Sequence, residues 1–335
     1  MHVSSNIGNA REAGEYMNDG RPLVSIAIPT YNRAETYLRP CLEAALRQTY
    51  PNLEIIVADN GSSDGTEALV RRYADPRIRY YRQPQNIPPN DNFNFVLQQA
   101  KGAYFCLLLD DELIDSDFVD VCIQAVHGNT DFGLLRTGLR AINADGIVVE
   151  ETPNRVTGQS LSELVLAWFD ARTALYLCNT IFNRAALLAL GGFRSRHNLF
   201  QDVVAQIRVA AQMPRADIVD VKATTRRHSG QFTYAAKVRE WCIDSLDVLD
   251  LICLAVSENE AQIRERGARF FASICYSRAN AIRSTAARLQ AYRDVYQYFG
   301  HRYMPSPRLL LSSTGAYRSL RRIKRKMLQL PAWTD

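Results

Sequence analysis

Residues 104–112 read Tyr-Phe-Cys-Leu-Leu-Leu-Asp-Asp-Glu. An apolar run without alternation suits a strand buried on both faces. Asp110, Asp111 and Glu112 then stand at its carboxyl end, and in open α/β sheets that edge is where ligands bind. Three adjacent carboxylates repel one another unless positive charge lies among them. A hard divalent cation with oxygen ligands, of the kind that arrives with substrate phosphates, meets that need. The other reading of the same residues is a strand ending in an acidic turn that faces water.

The surrounding elements must carry these acids to a sheet edge. Leu23-Val24-Ser25-Ile26-Ala27-Ile28 reads as a first strand stopped by Pro29, and Thr30-Tyr31-Asn32-Arg33 as the turn after it. A helical pattern covers 35–48, and Tyr50-Pro51-Asn52 ends it. A second buried strand, 53–58, runs into Asp59-Asn60-Gly61-Ser62-Ser63-Asp64-Gly65-Thr66, a loop of short polar side chains that tolerate unusual backbone angles. A helix over 66–73 with Asp64 as a candidate cap, a strand over 78–82 and a helix from Asn90 or Asp91 to Ala100 complete the run. Strands alternating with helices predict a mostly parallel sheet flanked by helices. No G-x-G-x-x-G follows the first strand and no G-x-x-x-x-G-K-[S/T] occurs anywhere. Dinucleotide dehydrogenases and P-loop enzymes are therefore disfavoured, and polar loops must hold the ligand instead.

Beyond the acids, a helix is predicted over 116–126, strands over 132–138 and 139–149 with Asp145-Gly146 as their hairpin turn, and helices over 160–170, 184–190 and 202–211. Gly191-Gly192 is a stop signal. Residues 218–224 alternate like a strand and lead to Arg226-Arg227-His228. From 235 onward the pattern is helical, with segments at 237–257, 259–283 and 285–299. Residues 316–330 mix Arg318, Arg321, Arg322, Lys324, Arg325 and Lys326 with Leu320, Ile323, Met327, Leu328 and Leu330. That composition suits a basic amphipathic helix on an anionic membrane surface or a solvated charged face.

The chain has 335 residues, 47% hydrophobic and 22% charged, a globular balance that suits one large domain or a domain with an appendage. Its net charge of +5 is mild. No apolar run reaches the ~18 residues a membrane-spanning helix needs, and residues 1–20, polar and rich in Gly and Asn, lack the core of a secretory signal. The seven cysteines include no C-x-x-C pair and sit in apolar surroundings, which predicts buried free thiols in a reducing compartment.

Four stretches stand in order: Val24-Ser25-Ile26-Ala27-Ile28-Pro29-Thr30-Tyr31-Asn32-Arg33, the segment from Glu54 through Thr66, Ala100-Lys101-Gly102-Ala103-Tyr104 leading to Asp110-Asp111-Glu112, and Gly191-Gly192-Phe193 followed by Asp202. Through them the chain, up to about residue 230, resembles the family 2 glycosyltransferases of GT-A fold. The resemblance implies a GT-A nucleotide-diphospho-sugar transferase fold over 21–232, after a flexible lead over 1–20 and before a helical C-terminal region with a basic tail over 233–335. It implies an inverting, single-displacement transfer from a nucleotide-sugar to a hydroxyl of a glycan, lipid-linked saccharide or other acceptor, as in bacterial surface polysaccharide assembly. The setting it suggests is cytoplasmic or peripheral on the inner face of the plasma membrane, with no nucleic acid partner.

The implied donor site comprises Pro29, Thr30, Tyr31, Arg33, Asp59, Asn60, Asp64, Asn94, Asp110 and Arg227. Asp59 would accept from a base N–H, of uracil or thymine, or of guanine. Asp110 would meet the ribose or the outer shell of the metal. Asp111 and His228 would bind Mn2+ or Mg2+, and Asp202 would be the general base that takes the acceptor's hydroxyl proton. The residue types also allow a structural His228 and an Asp202 that only caps its helix.

Two features depart from the family pattern. The acids are shifted to Asp110-Asp111-Glu112, which leaves open the carboxylate that touches metal. Gln201-Asp202 replaces a Glu-Asp pair. Two rivals follow: a catalytically inactive GT-A-like protein that binds nucleotide-sugar or glycan, and a nucleotidyltransferase. The latter wants a Gly-rich basic loop that Pro29-Thr30-Tyr31-Asn32 does not provide.

Overall fold

A computed structural model describes residues 20–156, 158–228, 236–256 and 258–300. Nearly all of the expected N-terminal lead and all of the basic segment 316–330 lie outside the described residues. The chain divides into two compact units, Met1–Arg194 with Gln201–Ser229, and Ser195–Phe200 with Gly230–Asp335.

The first unit opens with β1 (Val24–Thr30), α1 (Leu38–Leu46), β2 (Leu53–Asp59), α2 (Thr66–Arg71), β3 (Ile78–Arg82), α3 (Pro89–Gln99) and β4 (Tyr104–Leu107). β1 pairs in parallel with both β2 and β4, and β2 with β3. Every residue of β1, β2 and β4 is buried, which is why they read as apolar runs rather than alternations. Successive side chains go to opposite faces. Ile26, Ile28, Ile55 and Cys106 pack with Leu38, Cys41 and Leu42 of α1 on one face. Ala27, Ile56, Phe105 and Leu107 pack with Phe93, Val96 and Leu97 of α3 on the other. The register sets Thr30 opposite Asp59 and Ala27 opposite Leu107, so three polar loops leave one edge of the sheet together.

The unit continues through β5 (Leu113–Ile114), α4 (Phe118–Ala125), β6 (Leu134–Ile142), β7 (Val148–Thr152), α5 (Leu161–Phe169), β8 (Thr180–Asn183), α6 (Arg184–Ala189), α7 (Gln201–Ala210) and β9 (Arg215–Arg226). The strand order is β3-β2-β1-β4-β8-β6-β9-β5, with β7 on β6. β8 runs antiparallel to β4 and β6, while β6 and β9 are parallel.

Three local expectations change. Pro29 does not stop β1: it pairs with Ala58 near the strand end, where proline removes only one donor from the ladder. The two strands expected over 132–149 are one strand through Gly138 followed by a separate β7. A Cβ on Gly138 would press on Pro153 Cα and Thr152 O at 2.9 Å, and the β6–β9 register shifts there, so the glycine marks close backbone approach rather than a break. β8 was not expected, because four wholly buried residues are too few to show a period.

The second unit contains α8 (Val238–Ala255), α9 (Glu260–Asn280) and α10 (Thr285–Phe299). Phe200 packs edge-on against Trp241 and Phe271, at 5.3 and 5.6 Å between centroids. Asp244, fully buried, accepts from the Ser195 hydroxyl at 3.1 Å and from the Leu199 backbone at 3.3 Å, and lies 2.6 Å from His197 Nδ1. All seven cysteines are buried and free.

Candidate active site

The loops after β1 and β2 are stitched together. Asn32, at φ 53°, donates its backbone N–H to Ser62 Oγ at 2.9 Å, and its side-chain oxygen accepts from the Ser63 backbone at 2.8 Å. Asp64 accepts from the Ala34 backbone at 3.1 Å and the Thr66 hydroxyl at 2.5 Å. Burial by itself would raise the Asp64 carboxyl, but the bonds from Thr66 and Ala34 outweigh it and hold the group below its ordinary value. Asp59, buried at the end of β2, accepts from the Ser62 backbone at 2.8 Å and the Tyr80 hydroxyl at 2.5 Å. Asn60 clasps Ile87, donating to its carbonyl at 2.8 Å and accepting from its N–H at 3.0 Å. These contacts fix the loops after β1 and β2 against each other.

The acids follow β4. Thr30, the last residue of β1, donates its hydroxyl to Asp110 Oδ2 at 2.7 Å, with Pro29 buried in the strand before it and Tyr31 exposed after it. His228 Nε2 lies 2.7 Å from Asp111 Oδ2, which joins residues 117 positions apart. Glu112 is buried and accepts from the Leu109 N–H at 3.2 Å. Burial pushes the Asp110 carboxyl up to about 7; the Thr30 hydrogen bond opposes this, the Asp111 charge adds to it, and Arg33 opposes it. Glu112 is raised as well, by burial and then by Asp111. A cluster in which burial and mutual repulsion disfavour ionisation is relieved by a cation, which inverts this local order.

Tyr37 organises the positive side of the site. Its ring lies 4.9 Å from the His228 ring, and the guanidinium carbons of Arg226 and Arg33 lie 5.1 and 5.6 Å from its centroid. Tyr37 stands just before α1, at the end of the turn that follows Arg33, and no local pattern of residues singles it out. The two arginines before His228 part company. Arg226 stays over Tyr37, whereas Arg227 turns to Glu150 at 2.6 Å on β7. Asn94 also lies apart from the acids. Its amide takes the Phe193 N–H at 2.8 Å and gives to the Phe193 carbonyl at 3.0 Å. Gly192, at φ +72°, fits this clasp because a Cβ there would run into the Asn94 amide oxygen.

Asp202 stands in the first turn of α7, partly buried, and accepts from the Val203 N–H at 2.8 Å. Burial pushes its carboxyl up to about 6. The neighbouring Gln201 Oε1 is shielded from solvent and has no hydrogen-bond partner among the described residues. Among those residues no three His, Cys, Asp or Glu side chains form a metal-holding group by themselves. Asp111 and His228 together offer one oxygen and one nitrogen donor, a set suited to a cation that takes its other ligands from a diphosphate and water.

Residues 25–140 match the family model described as Glycosyl transferase family 2. A Rickettsia typhi protein described as an uncharacterized glycosyltransferase is 42% identical over 96 residues, 29% of this chain and 29% of that protein. The chondroitin synthase of Pasteurella multocida is 33% identical over 130 residues, 38% of this chain and 13% of the synthase. The alignments thus span less than a third of either relative's length. Among solved structures, residues 1–349 of TarS from S. aureus in complex with UDP-GlcNAc give a TM-score of 0.57 at 16% identity over 93% of both chains. The mannosyltransferase PcManGT from Pyrobaculum calidifontis in complex with GDP-Man and Mn2+ gives 0.52 at 18% identity, over 92% of this chain and 84% of that one. At such identities the likeness carries the fold, and that fold is the GT-A class. The match to the family 2 model covers about a third of the chain, the part that holds β1 to β4 and the acids after β4.

Proposed function

We propose that the protein transfers a sugar from a nucleotide-sugar to an acceptor hydroxyl, with inversion, in the assembly of a bacterial surface glycan. The observation that carries this reading is the edge where Thr30, Asp110, Asp111 and His228 converge from β1, the end of β4 and the end of β9. The relatives' names and the nucleotide-sugars in the titles of two structural neighbours support it.

In this reading residues 21–232 are the transferase domain and 233–335 a helical appendage. Pro29, Thr30, Tyr31 and Arg33 flank the diphosphate, and the stitched loop of Asp59, Asn60 and Asp64 receives the base. Asp110 meets the ribose. Asp111 and His228 would hold Mn2+ or Mg2+, which when bound supplies positive charge against the departing diphosphate. Asp202 takes the proton of the acceptor hydroxyl onto its carboxylate as the oxygen attacks the anomeric carbon from the face opposite the leaving group. A base with a raised pKa suits this step, since it accepts a proton readily near neutral pH. Asn94 serves by fixing the 191–193 turn ahead of Asp202, and Arg227 is placed to meet ligand charge only by leaving Glu150.

The test is thermal stabilisation of the purified protein by UDP-, dTDP-, GDP- and CMP-sugars with and without Mn2+, since specific binding raises the melting temperature by mass action. A metal-dependent rise with one nucleotide class is expected. No rise with any donor would overturn the transferase reading.

A further inference from the structure

Loop 173–179 is braced from beneath to an unusual degree. Arg136 and Arg215 are among the most buried side chains of the chain, at 0% and 1% exposure, and share one carboxylate, Asp217, at 2.7 Å each. Arg136 also donates to Thr173 Oγ1 and to the Ala174 carbonyl, both at 2.8 Å. Asn179 donates to the carbonyls of Thr137 at 2.7 Å and Ala174 at 3.2 Å. Two buried guanidiniums on one carboxylate are costly to desolvate; Arg136 spends its other bonds on this loop, and Arg215 spends its own on the Gly158 and Gln159 carbonyls.

At its centre one side chain emerges. Leu175 and Leu177 are buried at 3% and 5% exposure, while Tyr176 between them is 38% exposed. Its backbone is fixed on both sides: the N–H donates to Asn179 Oδ1 at 3.2 Å, and the carbonyl accepts from Thr180 Oγ1 at 2.9 Å and Gln206 Nε2 at 3.3 Å. A single exposed aromatic is ordinary, but one presented by a rigid, network-held loop has lost the freedom that normally dilutes its binding value.

The location is equally specific. β8 runs antiparallel to β4, with Cys106 opposite Ile181, so the residues just before β8 emerge at the edge where the acids leave β4. In the strand order β2-β1-β4-β8, the loop of Asp59 lies on one side of β4 and the Tyr176 loop on the other. Gln206, which grips the Tyr176 carbonyl, is four residues after Asp202, so both stand on one face of α7. The Tyr176 hydroxyl lies within electrostatic reach of Arg227, Asp202 and Glu112.

The geometry points to Tyr176 as the platform for the acceptor, its ring stacking on a pyranose so that a hydroxyl of that sugar is presented to Asp202. This rests on the transferase reading above and deepens it by naming a saccharide ring as the acceptor's recognised part. Tyrosine suits the task, with a large apolar face and a polar tip that few rotatable bonds need to order.

The test uses an array of defined oligosaccharides probed with the full-length protein, with and without UDP and Mn2+. Wild type should retain one class of saccharide, Tyr176→Ala should weaken that retention about tenfold or more, and Tyr176→Phe should restore it. Equal retention by wild type and Tyr176→Ala overturns the platform, and so does a wild type that retains no saccharide. Nucleotide-sugar thermal shifts on the same proteins separate the two proposals. A donor shift without saccharide retention sinks the platform alone. Retention that depends on Tyr176 without any donor shift sinks the transferase reading and, with it, the assignment of the retained saccharide as an acceptor.

Discussion

Asp202 carries a conflict between stability and chemistry. Its carboxyl is held at about 6 in the fold against an ordinary 3.8. Between those values the folded chain keeps a proton that the unfolded chain has released. This group's contribution to stability is therefore full below its unfolded value and is lost as pH rises through about 6. At neutral pH the buried charge costs about 1–2 kcal/mol once its partial exposure is discounted. Asp202→Asn, which keeps an oxygen for the Val203 N–H, should melt higher than wild type at pH 7 and show little gain at pH 4. Transfer should fall by about 10²–10⁴-fold in the same variant, and wild-type kcat/KM should decline as pH drops below about 6. A variant less stable at pH 7 would show that Asp202 serves the fold. At the acid pair, His228→Ala should raise the Mn2+ concentration needed for half-maximal donor binding by about tenfold or more. An unchanged Mn2+ requirement would return His228 to a structural role.

At the level of elements, the site depends on how loops are clamped between strands. The guanidiniums of Arg136 and Arg215 converge on Asp217 from β6 and β9. Asp217→Ala would leave both buried without a carboxylate, so unfolding free energy should fall by about 3–5 kcal/mol, read from the urea midpoint. Asn94 ties α3 to the turn ahead of α7 through the Phe193 backbone, next to Gly192. Gly192→Ala forces a Cβ onto the Asn94 oxygen at a left-handed φ. We expect a loss of about 1–3 kcal/mol together with a larger loss of transfer, because the turn leads toward Asp202. Restoration of transfer in Asn94→Ala/Gly192→Ala would identify the clash itself as the cause.

For the whole molecule, the sheet unit contains every residue assigned to the donor site, and the helices α8 to α10 form a second unit with the 195–200 segment. Among the described residues no helix is long and apolar enough to cross a membrane. Membrane association, if the basic segment 316–330 provides it, would be electrostatic and peripheral. Truncation before Arg318 should release the protein from vesicles rich in anionic lipid and leave its nucleotide-sugar thermal shift intact. Unchanged vesicle binding would dismiss the segment as the anchor.

Local physics made much of this protein readable from its residues. Buried parallel strands must be continuous apolar runs, so β1, β2 and β4 announce themselves, and the polar loops after them mark the kind of edge at which open α/β sheets bind ligands. Helical periodicity likewise marked α8, α9 and α10 to within a few residues. The family resemblance had put Asp111 and His228 at one place, but other relations across long separations required tertiary structure. No local signal says that Arg226 and not Arg227 stays over Tyr37, or that Asn94 spends its amide on Phe193. Nor does one say that Gly138 lies within a strand or that Tyr176 is held exposed over a buried Arg–Asp–Arg network. A residue's type and period fix its own backbone and which face it buries. Which distant side chain satisfies its charge or hydrogen bond is settled only when the whole sheet closes and each buried polar group must find a partner.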